Sequence, residues 1–381
     1  MSLATDSPSR SSSPTAPISK ASAAARSASA RSPAFTTKHT KPLLIALVAA
    51  TSLATTGCYL THLASGQWQL LRAREAIADL LADPETSAEL RSSLSFVERT
   101  RAYASEIGLD VDGQYTSYVG WPGDRVITSV VATRPGTVDA EPFWFPIVGS
   151  VPYKGYFDPD RAHREAERLR GKGRDVCLVP VRAYSTLGWF DDPVTKPMLE
   201  MSRGRLAEIL LHELVHSTVF VADQTDFNEG VATFVGEEAS VRFYADAGET
   251  GAAARRRREV NEGRSIDAVL LAFRHDVARL YAETEPGSAR TASRAQLEAS
   301  ARRALVELPL TTRDPASLAE RARLNDACLA LVATYTADLP AYAARLKAEG
   351  GQLTRFLAEL RRAAGTPDPR SALLGTGTSD P

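Results

Sequence analysis

The sequence predicts an α+β body, in which a small, mostly antiparallel sheet precedes a predominantly helical C-terminal half. Two contrasts in the residue pattern carry this prediction. Between about residues 110 and 190, Gly, Pro, aromatic and β-branched residues dominate, the composition of short strands separated by turns. From about residue 200 onward the chain has good helix formers, few glycines and repeated Glu/Arg pairs at i to i+4 spacing, which support helices. With 381 residues, 44% of them apolar and 24% charged, the chain can bury a sizeable core. Its formal net charge is −1, so the balance offers no footprint for nucleic acid. The one basic run, Arg255 to Arg258, is expected to lie on a solvated helix face.

Taken in order, residues 1–41 are mostly Ser, Ala, Thr and Pro, with six Lys or Arg against one acid, Asp6. Such a leader buries too little apolar surface to offset its ordering entropy and is expected to be disordered. Residues 42–58 read as a signal segment. Leu43 to Ala54 is an uncharged apolar run, too short to span a bilayer comfortably, and small residues follow it. Thr55-Thr56-Gly57-Cys58 resembles the lipobox of bacterial lipoproteins, in which the cysteine is lipidated and becomes the new N-terminus. Thr55 departs from that pattern, which usually has an aliphatic residue there. The expectation is an exported cell-envelope lipoprotein, held to the periplasmic face of a bacterial membrane through Cys58. An organellar transit peptide and an uncleaved inner-membrane anchor are the other readings of the same leader. In an oxidising compartment Cys177 and Cys328 can pair, provided that the fold brings their Cα atoms together. No C-x-x-C pair exists, which argues against cysteine-held zinc.

The body itself is expected over residues 59–365. Residues 65–107 read as two helices, with Leu70, Ala73, Ile77, Leu80 and Leu81 at helical spacing. Asp83-Pro84 breaks that pattern before Leu90, Leu94, Val97 and Tyr103 resume it. Val126 to Val131, Phe143 to Val148 and Val176 to Val181 read as strands, with Pro122-Gly123, Pro135-Gly136 and Gly171-Lys172-Gly173 as turns. A helix over about 159–170 starts after Asp158, with Pro159 in its first turn. Residues 366–381 return to Gly, Thr, Pro and Asp, the composition of a loose tail.

The chemistry concentrates in His212-Glu213-Leu214-Val215-His216 and in Asn228-Glu229-Gly230-Val231-Ala232. Residues i and i+4 of a helix share a face, so His212 and His216 can aim a nitrogen at one metal ion. Glu213 is rotated about 100° from His212. It sits beside the metal, where its carboxylate can accept a proton from the attacking water. This is the H-E-x-x-H logic of zinc hydrolases. Leu206, Ile209, Leu210, Leu211, Leu214, Val215, Val219 and Phe220 make the helix apolar on nearly every side, so it should be buried. Two histidines and a glutamate there need a shared partner, and Zn2+ with a water would satisfy all three.

A catalytic zinc usually has three protein ligands. Position 222 is Ala, so no third histidine follows at metzincin spacing. Glu229 is the better candidate: it opens a second apolar-periodic stretch after a short polar loop, and a helical hairpin would lay it against the middle of the first helix.

Leu-Leu-His-Glu-Leu-Val-His-Ser-Thr at 210–218 and Asn-Glu-Gly-Val-Ala-Thr-Phe-Val-Gly at 228–236 together resemble a bacterial zinc aminopeptidase family, lipoprotein-like and of the gluzincin type. The Gly57-Cys58 lipobox and the Gly-Trp-Phe-Asp-Asp-Pro stretch at 188–193 are similar to it as well. The resemblance implies a zincin-like fold, zinc held by His212, His216 and Glu229, and Glu213 as general base. Thr233 departs from thermolysin-like enzymes, which often carry there an Asp that orients a histidine. Glu237, Glu238 or a backbone carbonyl is the substitute expected.

The implied reaction is peptide-bond hydrolysis, with Glu213 passing the water's proton to the leaving amine. Tyr153, Tyr156 and Tyr184 are the candidate donors to the developing oxyanion. Residues 176–186 are the candidate edge along which an extended peptide substrate pairs. No acid to hold a free α-amine stands out, so aminopeptidase and endopeptidase activity both remain open. The alternative class is a non-catalytic membrane-anchored lipoprotein in which zinc staples two helices as part of a scaffold.

Overall fold

A computed structural model describes residues 59–145, 149–183, 186 and 190–375. The leader, the signal segment with Cys58, and Tyr184 lie outside these residues. Contacts divide the chain into Met1–Thr56 and Gly57–Pro381, and the architecture that follows is that of the second unit. It is α+β with a helical C-terminal half, as the residue pattern predicts.

Residues 59–72 form the first helix, α1. The first of the two expected helices is thus interrupted: Glu75–Ala76 (β1) is extended and pairs antiparallel with Ser117–Val119 (β2), and Ile77–Ala82 (α2) then resumes the helix. Local helical periodicity loses there to a tertiary pairing. Ser87 then caps Ala88–Glu106 (α3), accepting a hydrogen bond from the Leu90 N–H.

Among the described residues, three small sheets stand where a single one is expected. The central one is Ile127–Thr133 (β3), flanked antiparallel by Lys154–Tyr156 (β6) on one side and Asp175–Val181 (β7) on the other. Phe143–Phe145 (β4) and Gly149–Val151 (β5) make a separate pair. Val194–Thr195 (β8) adds to β2 in a parallel pairing. Pro159–Arg170 (α4) packs on one face of the central sheet, its Ala162, Ala166 and Leu169 against Val130, Ala132 and Val176. Its start is as expected, with the Asp158 carboxylate accepting from the N–H groups of Asp160 and Arg161.

After the short Lys196–Leu199 (α5) the helices take over. Arg203–Thr218 (α6), Thr225–Asp246 (α7) and Thr250–Glu283 (α8) form the core of this half. Leu206, Leu210, Leu211, Leu214 and Val215 of α6 are fully buried. At about 2 kcal/mol each, their packing fixes the position of α6 without help from the polar residues it carries. Ser288–Val306 (α9) and Pro315–Arg321 (α10) lean on α8. Asp326–Thr336 (α11) lies across β3 and β7, and a disulfide between Cys177 of β7 and Cys328 of α11 joins the two. Leu339–Ala348 (α12) and Leu353–Ala364 (α13) close the core around Tyr342 and Phe356. The expected loose tail is partly helical: Pro369–Leu374 (α14) buries Pro369 and Leu373.

The arginine run is not simply a solvated face. Arg255 and Arg258 are exposed, but Arg256 is buried between Glu208, Glu259 and the Ser240 hydroxyl, and Arg257 forks onto the Glu238 carboxylate. These pairs fasten α8 to α6 and α7.

Candidate metal centre

The α6–α7 hairpin builds the site. Asn228 makes its turn: its side-chain amide donates to the Val221 carbonyl at 2.7 Å and accepts from the Val221 N–H at 3.0 Å. This clamp is buried and fixes the residue just before Glu229. Gly236 permits the crossing of the helices. A Cβ there would stand 2.8 Å from the Glu208 carbonyl oxygen and 3.1 Å from His212 Cβ, so only glycine lets α7 pass so close to the first histidine.

Three side chains converge as a result. His212 Nε2 and His216 Nε2 are 3.2 Å apart, and Glu229 Oε2 lies 3.4 Å from the first and 3.5 Å from the second. Ligand atoms about 2.0–2.1 Å from one tetrahedral ion lie about 3.3–3.4 Å from each other, which is the size of this triangle. Nitrogen lone pairs and a carboxylate packed so closely repel one another unless a cation lies between them. His216 and Glu229 are buried and His212 nearly so. Burial disfavours charge on His216 and Glu229, yet their contact outweighs it: the Glu229 carboxyl is held far below its usual range by the histidines, and the His216 imidazolium is favoured by Glu229. Two imidazoles, which ligate in their neutral form, and a carboxylate on the wall of a cavity form a suitable donor set for Zn2+.

The triad opens onto a cavity of about 830 Å³. Glu213 lines it beside the ligands, as do Tyr153 and Tyr335. Tyr153 donates to Glu229 Oε1 at 3.4 Å, the oxygen turned away from the histidines. Tyr335 lies with its ring nearly parallel to that of His212 at 6.4 Å, and its phenol is near enough to Glu229 to feel its charge. Burial first, and then Glu229, pushes both phenols well above their ordinary pKa, so both remain donors. Of the sequence candidates, Tyr153 reaches the centre. Tyr156 does not, because it packs against α4 and Tyr59. Tyr335 was not legible in the sequence, since only the disulfide-tethered path of α11 brings it to the cavity.

Glu237 and Glu238 do not turn to a histidine as expected. Glu237 pairs with Arg264, and Glu238 pairs with Arg257 and Arg264. His216 Nδ1 is buried without a hydrogen-bond partner among the described residues. The Gly-Trp-Phe-Asp-Asp-Pro stretch has a structural task at its end. Asp192 is buried, its carboxylate accepts from the Thr186 N–H and hydroxyl, and its own N–H donates to Gln114. The Tyr115 N–H bonds the Asp192 carbonyl, which holds that loop against a tyrosine close enough to Glu213 to feel its charge.

The far part of the cavity is lined by Arg205, Glu208, Glu237, Arg256 and Asp267. Glu208 is taken by Arg205 and Arg256. Burial, and next the charge of Glu237, pushes the Asp267 carboxyl up to about 6.

Residues 58–374 match a family described as putative aminopeptidase. No curated protein and no solved structure matches the chain.

Proposed function

The chain belongs to the putative aminopeptidase family, and we propose that it works as a zinc-dependent peptidase, with His212, His216 and Glu229 holding the ion and Glu213 as general base. The observation that carries this reading is the triangle of ligand atoms, at tetrahedral spacing, on the wall of a cavity that Glu213 also lines. A structural zinc is normally closed by four protein ligands. Among the described residues three meet, on the wall of the cavity, which favours catalysis over a scaffold.

Zinc held there supplies a Lewis acid and lowers the pKa of a bound water toward about 7. Glu213 accepts the proton of the attacking water and delivers it to the leaving amine, a role that needs a carboxylate beside the ligands and not among them. The phenol of Tyr153 fixes the orientation of Glu229 through Oε1. Tyr335, on α11, donates to the oxygen on which charge develops, as an oxyanion donor must.

The proposed setting is the cell envelope, with Cys58 lipidated. Two observations favour it: the family match begins at residue 58, where the mature chain would start, and the Cys177–Cys328 disulfide suits an oxidising compartment. The functional test is cleavage of peptides with free N-termini by wild type and Glu213→Gln at equal zinc content. Wild type should cleave and the variant should fall by a factor of at least about 10². Equal rates in the two proteins would remove Glu213 from the reaction.

A further inference from the structure

We infer that the loop joining α10 to α11 limits how far a peptide can extend along β7 beyond the cavity, because it closes the outer edge of that strand. β7 is an edge strand, so one row of its backbone groups is not used by β3. Even-numbered residues carry that row. The Val176 carbonyl accepts from Asn325 Nδ2 at 3.1 Å, and the Leu178 carbonyl accepts from Arg323 Nη1. The Val176 N–H is taken by the Asp175 carboxylate, which also accepts from Asn325 Nδ2 at 2.9 Å and the Ala327 N–H at 3.1 Å. The Cys177–Cys328 disulfide fastens the same junction. By the two-residue period of a strand, the next outward positions are Pro180 and Arg182. Pro180 has no N–H, and the Arg182 carbonyl accepts from the Thr195 hydroxyl at 3.2 Å. Among the described residues, the Pro180 carbonyl is the acceptor left uncovered in this row, and it lies on the cavity wall with Val179 to Ala183.

A peptide that adds to a sheet edge bonds through alternate residues, about 6.6–6.8 Å apart. Here it meets the Pro180 carbonyl and the Leu178 and Arg182 N–H groups, while the carbonyls of Val176, Leu178 and Arg182 and the Val176 N–H are taken, and in the direction of Leu178 its path runs into Arg323. A chain lying across the site, as cleavage in mid-sequence requires, forfeits most of its backbone bonds. A peptide end reaching in by one or two residues forfeits few. Resting on the peptidase reading above, this makes Arg323 a specificity-determining residue for substrate length, selecting short peptides or a chain terminus.

The test measures kcat/KM for zinc-loaded full-length wild type, Arg323→Ala and Arg323→Lys on peptides of two to ten residues, with free ends or with both ends blocked. Arg323 is exposed, and melting curves verify that the variants fold. Wild type should cut the blocked decapeptide at least tenfold more slowly than short free peptides. Arg323→Ala should raise the blocked-decapeptide value about five- to tenfold, the worth of one backbone hydrogen bond, and leave the dipeptide value unchanged. Arg323→Lys, which can still donate to Leu178, should behave as wild type. An unchanged length profile in Arg323→Ala, or equal rates on blocked and free substrates in wild type, overturns the inference while the peptidase reading stands. Zinc-loaded wild type that cuts none of the peptides refutes the peptidase reading, and the inference falls with it.

Discussion

Replacing Gly236 by alanine opposes two effects whose sign the structure decides. Helix propensity alone favours the change by about 1 kcal/mol. The added Cβ, however, would stand 2.8 Å from the Glu208 carbonyl oxygen, 3.1 Å from His212 Cβ and 3.2 Å from the His212 nitrogen. All three belong to the α6 backbone or sit directly on it, so no flexible side chain can swing aside. The helices must separate by roughly 0.5 Å to restore ordinary contact, and overpacking of this kind costs about 1–3 kcal/mol. The net expectation is a loss of about 1 kcal/mol, or a melting temperature lower by about 2–4 °C. The same separation widens the contacts of Glu229 with His212 and His216, now 3.4 and 3.5 Å, and zinc affinity should fall about tenfold or more. Differential scanning calorimetry and a competitive zinc titration with a chromophoric chelator read the two effects. A raised melting temperature with unchanged zinc affinity would show that the helices do not cross at this glycine as described.

Three further outcomes follow from the structure. Asn228→Ala leaves the Val221 N–H and carbonyl without their partner, so urea unfolding should show a loss of about 2–3 kcal/mol. Removing the disulfide with Cys177→Ser and Cys328→Ser frees a loop spanning 151 residues, for which chain entropy gives about 5 kcal/mol. Calorimetry of the double variant checks this, and a melting temperature equal to wild type would contradict it. Asp267 has a folded pKa near 6, above its ordinary value of 3.8, so the folded state holds its proton more tightly than the unfolded one. It therefore costs stability above about pH 6, and that cost disappears as pH falls below about 4. Asp267→Asn should stabilise the protein at pH 7 by about 1–2 kcal/mol and flatten the dependence between pH 4 and 6. Parallel wild-type and variant curves across that range would refute the assignment.

Much of the site was legible because its determinants are local. The four-residue spacing of His212 and His216 and the buried pattern around them depend only on helix geometry. Glu229 was reached through the hairpin that a short polar loop implies, and Asn228 and Gly236, which make that hairpin, stand in the same motif. What stayed hidden depends on contacts between distant segments. Tyr335 enters the cavity because α11 is fastened across β7, more than 100 residues beyond His212, His216 and Glu229. The partners of Glu237 and Glu238 are arginines on α8, which no spacing in the motif announces. In the fold, β1 interrupts a helical pattern because Glu75 and Ala76 find partners in β2. Helical periodicity could not predict a strand of two residues formed by tertiary pairing. The arginine run misled for a similar reason: alternate members of a helix face different ways, and Arg256 and Arg257 face acids on α6 and α7.

The most direct test of the account is zinc binding, followed by isothermal titration calorimetry of metal-stripped wild type, His212→Ala and Glu229→Ala. One equivalent bound tightly by wild type, with affinity reduced at least a hundredfold in either variant, is the predicted result. Wild type that binds no zinc, or variants that bind it as tightly as wild type does, would contradict the metal centre on which the rest depends.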